Sequence, residues 1–340
     1  MNSPDPHSRS VPTARRQTVR RPGPVEARIA EFSQVPRIQA GSLVLSVFGD
    51  LLLARGGRVW LGSLIQLLTP LGVNDRMIRT AIFRLAQENW LVAEAHGRRA
   101  DYSLTASGAQ RIRDASRRIY AAQSPAWDQR WRLVFQVKEM DAPTRDAVRR
   151  FLFWQGFGSL GPHCFVHPTT DLDRVFQGLS AEGLASACVA LLPVRAADAA
   201  VGQSASPHDL VMQAWNLEDL ADRYSAFVAR YEPIAEVLMR GDQADLSPQN
   251  ALLVRLLLIH DYRRLLLRDP NLPAALLPPA WPGEAARAVC RRLYRLLLAP
   301  SEDHIDRMLV TANNAPLPPA DQSLAERFQG PDPLSDKPLR

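Results

Sequence analysis

The chain has 340 residues, of which 46% are hydrophobic, and its net charge is +6. That length suits two or three domains, and the positive charge suits a polyanionic partner, although charge alone does not separate nucleic acid from a membrane surface. The three cysteines are too far apart for a CxxC metal pattern and form no disulfide framework. The N-terminus lacks the apolar core of a signal peptide, and no apolar run approaches the roughly 20 residues of a membrane span. We therefore expect a cytoplasmic globular protein with no membrane partner.

Both ends of the chain are rich in proline and polar residues. Residues 1–37 contain seven arginines against three acidic residues, which predicts a disordered basic arm. Such an arm is either merely solvated or reaches phosphates and a minor groove. The composition of residues 314–340 predicts a second disordered tail.

Residues 38–123 predict three helices, a hairpin and a fourth helix. Apolar positions at helical spacing or helix-capping residues mark the helices at Leu43–Leu52, Leu61–Leu68, Asn74–Glu88 and from Thr105 or Ser107 onward. Two β-prone runs meet at Gly97 and predict the hairpin. This order is typical of a winged helix-turn-helix domain, which binds DNA.

The third of these helices has two distinct sides. Ile78, Ala81, Ile82 and Leu85 share the side that we expect to pack into the domain. The opposite side and the hairpin tip supply the candidate DNA-binding residues, which are Arg76, Arg79, Thr80, Phe83, Arg84, Gln87, Arg98 and Arg99. Arginine can bind guanine or phosphate, Gln87 can pair with adenine, and Phe83 can contact a thymine methyl group. Alternatively, the arginines only keep the helix soluble and Phe83 is covered by the hairpin or by another domain.

The rest of the chain predicts two further domains. Residues 124–200 show the order βαββαβ, which is typical of a small ferredoxin-like sandwich. Residues 210–313 are helical, in segments near Leu217–Arg240, Pro248–Arg268, Glu284–Leu298 and Asp303–Asn313. The predicted fold class is therefore α+β, with an N-terminal winged helix-turn-helix, a central ferredoxin-like domain and a C-terminal helical domain.

Several stretches of the chain resemble the PaaX-type regulators of phenylacetate catabolism. The resemblance runs over about residues 38–300, and it is carried by LVLSVFGDLLLARGGRVWLGSLIQLLTPLGVNDRMIRTAIFRLAQENWL, GRRADYSLT, WRLVFQV, FLFWQGFGSLGPHCFVHP, WNLEDLADRYSAFVARYEPI and HDYRRLLLRDPNLPAALLP. It implies a homodimeric repressor of an aromatic catabolic operon that binds a double-stranded DNA operator. It also implies release by an aryl-CoA thioester, such as phenylacetyl-CoA. We expect no resident cofactor.

Residues Leu252–Arg268 are the candidate effector site. His260, Arg264 and Arg268 form one helical stripe, and a row of arginines can hold the phosphates of a coenzyme A thioester. Tyr262, Trp154, Trp215 and Trp281 are candidate linings for the acyl group. The same basic stripe can instead be a structural contact that pairs with Asp261, Asp269 and neighbouring helices.

An enzyme would need a cluster of reactive groups, and the sequence offers few. In a strand, the side chains of His163 and His167 lie on one face and that of Cys164 on the opposite face, so the three cannot bind one metal ion. The central domain is similar in layout to CRISPR-associated nucleases, but Gln136 stands near the position where such a nuclease carries an acidic metal ligand. We therefore expect no catalytic residue. The rival functions are an effector-independent or partner-controlled DNA-binding regulator and, last, a metal-dependent nuclease.

Overall fold

A computed structural model describes residues 22–195, 206–241 and 246–329. Within these residues the chain combines helices with one three-stranded and one four-stranded antiparallel sheet, in agreement with the α+β prediction. No helix in this part of the chain has both the length and the apolar character needed to cross a membrane.

The first part of the chain surrounds a small sheet with helices. Its elements are α1 (Pro24–Ser33), α2 (Ala40–Ser46), a π-helical stretch (Val47–Leu52), β1 (Arg58–Trp60), α3 (Leu61–Leu68), α4 (Asp75–Gln87), β2 (Leu91–His96), β3 (Arg99–Leu104) and α5 (Ala106–Ile119). The strand order is β1-β3-β2, and β2 and β3 form a tight hairpin in which His96 pairs with Arg99. Gly97 turns this hairpin with a φ of 62°, a left-handed conformation that glycine adopts at little cost.

The central part has the βαββαβ order expected from the sequence. Its elements are β4 (Trp131–Gln136), α6 (Ala142–Trp154), β5 (Gly158–Ser159), β6 (Cys164–His167), α7 (Leu172–Ala181) and β7 (Cys188–Val194), and the strand order is β5-β6-β4-β7. Val134 and Phe165 on one sheet face pack against Val148 and Leu152 of α6. Trp131 and Val166 instead belong to the core of the helical part that follows. The sheet is thus covered by helices over much of both faces.

The last part of the chain consists of long helices. They are α8 (Pro207–Ala214), α9 (Leu217–Met239), α10 (Pro248–Leu266), α11 (Pro282–Met308) and the short α12 (Gln322–Ala325). The prediction of two helices around Pro300 is wrong, because α11 passes through this proline without interruption. Leu297 and Ile305 are fully buried on either side of Pro300, so packing holds the helix together despite the hydrogen bond that proline cannot donate.

Both predicted disordered ends are ordered where they approach the body of the protein. Residues 24–33 form α1, which buries Val25 and Phe32. At the other end, Phe328 is fully buried and its ring lies 5.3 Å from that of Tyr120. The remaining residues of the two predicted tails, 1–21 and 330–340, lie outside the described residues. Composition predicted disorder here, but the few apolar side chains in each segment have a surface on which to pack.

The first and last parts of the chain share one hydrophobic core. Leu252, Leu253, Leu256 and Leu257 of α10 pack among the buried side chains of α2, α3 and α4. Ile305, Leu309 and Leu317, from the end of α11 and the segment after it, join the same cluster. The first and last parts of the chain are therefore joined through one core.

Candidate DNA-binding face and arginine cleft

The helix α4 presents a polar face to solvent and buries the opposite one. The Asn74 side chain caps its start by accepting a hydrogen bond of 2.9 Å from the Met77 amide. The side chains of Ile78, Ala81, Ile82 and Leu85 are buried, as the periodicity predicted. The six candidate residues of this helix are all exposed, and they are Arg76, Arg79, Thr80, Phe83, Arg84 and Gln87.

Phe83 decides how this face is interpreted. Its side chain is 62% exposed, so neither the β2–β3 hairpin nor another part of the described chain covers it. A large exposed aromatic ring beside arginines is characteristic of a surface that binds a partner. Arg79 is held by Asp75 at 2.7 Å one turn earlier, a surface ion pair that contributes little and is readily exchanged.

The arginines of α4 divide between two directions. Arg76, Thr80 and Arg84 line a groove of about 650 Å³ between α4 and the start of α2. Arg79, Phe83 and Gln87 do not line this groove, and they lie on the outer side of the helix. The exposed face of α4 therefore has two surfaces, a basic groove and an outer side that carries Arg79, Phe83 and Gln87.

The two arginines of the hairpin differ in their surroundings. Arg98 is exposed at the turn. The guanidinium of Arg99 instead stacks on the Trp60 ring at 4.5 Å and donates a hydrogen bond to the Ala312 carbonyl oxygen. Asp101 accepts a hydrogen bond from the Ala312 amide at 2.6 Å, so the segment after α11 is attached to the hairpin. Of this pair, only Arg98 is free of such contacts.

A second basic site lies where the three parts of the chain meet, and we call it the arginine cleft. It has a volume of about 690 Å³ and its lining includes Gln39, Ser42, Phe153, Trp154, Arg223, Arg230, Asp261, Arg264, Leu267 and Arg268. Two of its four arginines are already paired: Arg223 with Asp219 at 2.8 Å, and Arg230 with Glu31 at 3.5 Å. The lining carboxylate, Asp261, pairs with Arg28 at 2.7 Å. Arg264 and Arg268 form no ion pair with the described residues. The cleft therefore carries an excess of positive charge suited to an anionic ligand.

The predicted effector residues separate into two pairs. Arg264 and Arg268 are exposed and line the arginine cleft. His260 and Tyr262 are not accessible, which corrects the prediction that they bind the effector: His260 is 2% exposed and bonded to Ser46, and Tyr262 is buried in the main core. The helical stripe is present, but α10 is surrounded by other helices along most of its length. Beyond its first turn, only its C-terminal end reaches solvent.

The candidate aromatic linings also differ in position. Trp154 is 74% exposed and lines the arginine cleft together with Phe153. Trp215 lines a neighbouring cavity of about 650 Å³, which Trp154 and Arg268 also border. Trp281 is buried beside Tyr224, with ring centroids 6.0 Å apart, and is part of the core. Sequence reasoning missed Arg223 and Arg230, whose seven-residue spacing on α9 places them on one face.

Three segments of the chain match known protein families. Residues 39–108 match the family described as PaaX-like protein, residues 124–205 the PaaX protein central Cas2-like domain, and residues 215–307 the PaaX-like protein C-terminal domain. A curated relative, the transcriptional repressor PaaX of Escherichia coli strain K12, is 38% identical over 261 residues, which cover 76% of this chain and 80% of that protein.

The chain belongs to the PaaX family. A solved structure, the uncharacterized protein Rv0674 from Mycobacterium tuberculosis, is similar with a TM-score of 0.49 and 25% identity, covering 77% of this chain and 96% of that chain.

This PaaX-family chain also has a buried polar network that sequence reasoning missed. Asp50, in the π-helical stretch, accepts hydrogen bonds from Tyr120, Arg255, Tyr294 and Arg327. Both Asp50 and Arg255 are buried, and Arg255 also pairs with Glu302 at 2.5 Å. The sequence did contain an indication, because a charged Arg255 within an apolar helical run needs a buried partner. The network connects the π-helical stretch with α10, α11 and the C-terminal segment.

The residues considered for metal binding have structural contacts. His167 is buried, and its Nδ1 accepts hydrogen bonds from the amides of Thr169 and Thr170 at 3.0 and 2.9 Å. Burial lowers the pKa of His167 to about 4. Gln136 is buried at the end of β4. The described residues contain no group of three His, Cys, Asp or Glu side chains placed to hold a metal ion.

Proposed function

We propose that the protein is a transcriptional repressor that binds a DNA operator through a winged helix-turn-helix domain. In this proposal α3 and α4 form the helix-turn-helix, α4 enters the major groove, and the β2–β3 hairpin is the wing. The observation that carries the proposal is the exposed face of α4, where Phe83 and the arginines face solvent. The family membership and the repressor among its relatives support the same conclusion.

The two directions on α4 suit two kinds of DNA contact. Arg79, Phe83 and Gln87 on the outer side suit contacts to base edges, since arginine prefers guanine and glutamine prefers adenine. Arg76 and Arg84, beside the groove, suit phosphate contacts that fix the position of the helix. Arg98 at the hairpin turn suits the backbone or a minor groove.

The effector that we propose is an aryl-CoA thioester, such as phenylacetyl-CoA, and it binds in the arginine cleft. Arg264 and Arg268 are the members of the predicted site that this proposal keeps, and Arg223 and Arg230 are added to them. Four guanidinium groups suit the several phosphates of coenzyme A, because charge-assisted hydrogen bonds to phosphate are strong and bidentate. The exposed ring of Trp154 offers a stacking surface for the planar adenine.

Release requires that the effector bind better to a form that cannot hold the operator. We propose that the protein acts as a homodimer, with the ferredoxin-like central domain as a scaffold. Helix-turn-helix dimers read half-sites about 34–36 Å apart, so a small rotation between protomers disrupts binding to both half-sites. No catalytic step is part of this function.

Operator binding with and without ligand tests the effector. We expect phenylacetyl-CoA, but not phenylacetate, to release the operator in a gel-shift assay. Arg264→Ala should repress normally but need at least about tenfold more ligand, because a phosphate contact is lost. Arg240→Ala is the matched control, since Arg240 is an exposed arginine of the same helical region outside the cleft.

Two results would contradict the effector proposal. If no acyl-CoA produces heat in calorimetry or changes the gel shift, the protein is an effector-independent or partner-controlled regulator. If Arg264→Ala abolishes operator binding while its ligand affinity stays normal, the arginines hold domains or protomers together instead of a ligand.

A further inference from the structure

A small apolar cavity of about 130 Å³ lies where the DNA-binding part packs against α10. Its walls include Leu45 and Gly49 from the first helical region, Ile112 and Ile119 from α5, and Ile259 from α10. It therefore lies between the part of the chain that carries α4 and the helical part that carries the arginine cleft.

The size of this cavity fits one aromatic ring. An apolar protein cavity of roughly 150 Å³ accommodates benzene and stays free of water when it is empty. The cavity is accessible from outside, because Ala115 and Leu267 in its lining are both exposed. A planar ring can thus enter without unfolding the chain.

Arg263 forms one wall of the cavity and is held in place by the start of α2. One end of its guanidinium, Nη2, donates to the carbonyl oxygen and the hydroxyl group of Ser42, at 2.9 and 2.6 Å. Its Nε atom is fully enclosed, so the wall that it forms is fixed by packing and by Ser42.

The apolar cavity adjoins the arginine cleft. Leu267 lines both, and Ser42, which holds Arg263 in place, is part of the cleft wall. A ligand can therefore extend from one site into the other across Leu267. The cleft offers positive charge, and the cavity offers an apolar space.

We propose that this cavity is the subsite for the aryl group of an acyl thioester. The ring lies among Leu45, Ile112 and Ile259, and the thioester lies beside Leu267, where the cavity meets the cleft. The phosphates of the same ligand occupy the arginine cleft. This inference rests on the proposed function, and it adds which part of the ligand determines specificity and where that part binds.

The location of the subsite explains why an aryl-CoA thioester would release the operator when coenzyme A alone would not. A ring in the cavity contacts both the DNA-binding part and α10, whereas the phosphates contact the cleft only. Coenzyme A alone should therefore bind without releasing the operator, since it leaves the contact between the two parts unchanged.

A series of ligands tests the size of the subsite on the unmodified full-length protein. Phenylacetyl-CoA should bind at least about tenfold more tightly than acetyl-CoA or coenzyme A, because burying a phenyl ring contributes about 1.5–3 kcal/mol. Naphthylacetyl-CoA should lose this advantage, since two fused rings exceed the cavity of about 130 Å³. Calorimetry measures all four affinities.

Filling the cavity tests its position. Ala115→Leu places a larger side chain at the cavity entrance and should lower phenylacetyl-CoA affinity at least about tenfold. The affinities for coenzyme A and for the operator should not change. Ala106→Leu is the matched control, because Ala106 is an exposed alanine of the same helix that does not line the cavity. Thermal melting establishes that both variants are folded, and Ala115→Met serves if the leucine variant is not.

The outcomes separate this inference from the proposed function. If the protein binds no acyl-CoA at all, the proposed effector is wrong and the subsite with it. If phenylacetyl-CoA binds and releases the operator, but Ala115→Leu has no effect and naphthylacetyl-CoA binds equally well, the proposed function stands. The ring then lies elsewhere, and this inference is wrong.

Discussion

Packing around α10 buries His260 and changes the pKa of its ring. Its ring is buried, its Nδ1 lies 3.1 Å from the Ser46 hydroxyl group, and Phe32 contacts it edge-on. Burial lowers the pKa of His260 from 6.5 to about 4, and nearby arginines add to this shift against the opposing effect of Asp261. The ring is therefore neutral at neutral pH and serves as a structural group.

This pKa shift predicts how stability depends on pH. The unfolded chain binds a proton at His260 below about pH 6.5, whereas the folded chain does so only near pH 4. The stability contributed by the neutral ring is thus fully present above pH 6.5 and is lost as the pH falls towards 4. The loss amounts to roughly 3 kcal/mol. His260→Gln should reduce the slope of the unfolding free energy against pH over this range, as measured by urea titration.

His167 is the natural comparison for that experiment. Its pKa is also lowered to about 4 by burial, so it contributes a similar slope in the same pH range. His260→Gln should remove about half of the combined slope and His167→Gln the other half. An unchanged slope in His260→Gln would show that the ring is accessible to protons in the folded state.

The sequence predicted the helix face on which His260 lies, but not that its side chain is buried. Helical spacing places His260, Arg264 and Arg268 in one stripe, and the structure has this stripe. Whether a position on the stripe is buried depends on which helices pack around α10, and these come from distant parts of the chain. Arg264 and Arg268 are exposed because α10 ends at Leu266.

At the scale of elements, α4 was predictable because its own sequence fixes its properties. The cap at Asn74, the apolar side and the polar side all follow from local spacing. The helix α1 was missed, although Val25, Ile29 and Phe32 recur at helical spacing, because prolines and charges dominate its surroundings. Arg28 in α1 is also buried, and it pairs with Asp261 of the distant helix α10. Composition alone cannot reveal such a partner.

Arg79→Ala tests α4 as the helix that reads DNA. Operator affinity should fall by roughly 1–3 kcal/mol with relaxed specificity at one position if Arg79 binds a base. If it binds phosphate, affinity should fall evenly for all sequences and the salt slope should decrease by about one. Quantitative footprinting on wild-type and substituted operators distinguishes the two.

Arg240→Ala is the matched control for Arg79→Ala. Arg240 pairs with Glu236 one turn away, as Arg79 pairs with Asp75, and both arginines are exposed. Both variants should lose the same small contribution to stability, and only Arg79→Ala should lose operator affinity. Equal operator affinity in the two variants would exclude Arg79 from the DNA-binding face.

At the scale of the whole molecule, the first part of the chain, which carries α4, does not stand apart from the rest. Its core is completed by four leucines of α10 and by Ile305, Leu309 and Leu317. The hairpin is likewise attached to the segment after α11 through Asp101 and Arg99. The sequence predicted the order of the three parts, because each has its own periodicity. It could not predict their shared core, since apolar residues do not indicate which distant residues they contact.

Asp50 is the polar counterpart of that shared core, and its substitution tests how firmly the parts are joined. Asp50→Asn keeps the shape of the side chain but removes the charge that Arg255 and Arg327 contact at 3.1 and 2.8 Å. Removing one partner of a buried ion pair costs about 3–5 kcal/mol, because the remaining charge stays buried without compensation. Glu302 still faces Arg255, so Arg327 should account for much of the loss.

Urea unfolding of Asp50→Asn should show a lower midpoint than that of the unmodified protein. Asp303→Asn is the control, because it removes an exposed surface pair and should leave the midpoint unchanged. A loss below about 1 kcal/mol in Asp50→Asn, the range of a surface pair, would mean that the shared apolar core alone holds the two parts together.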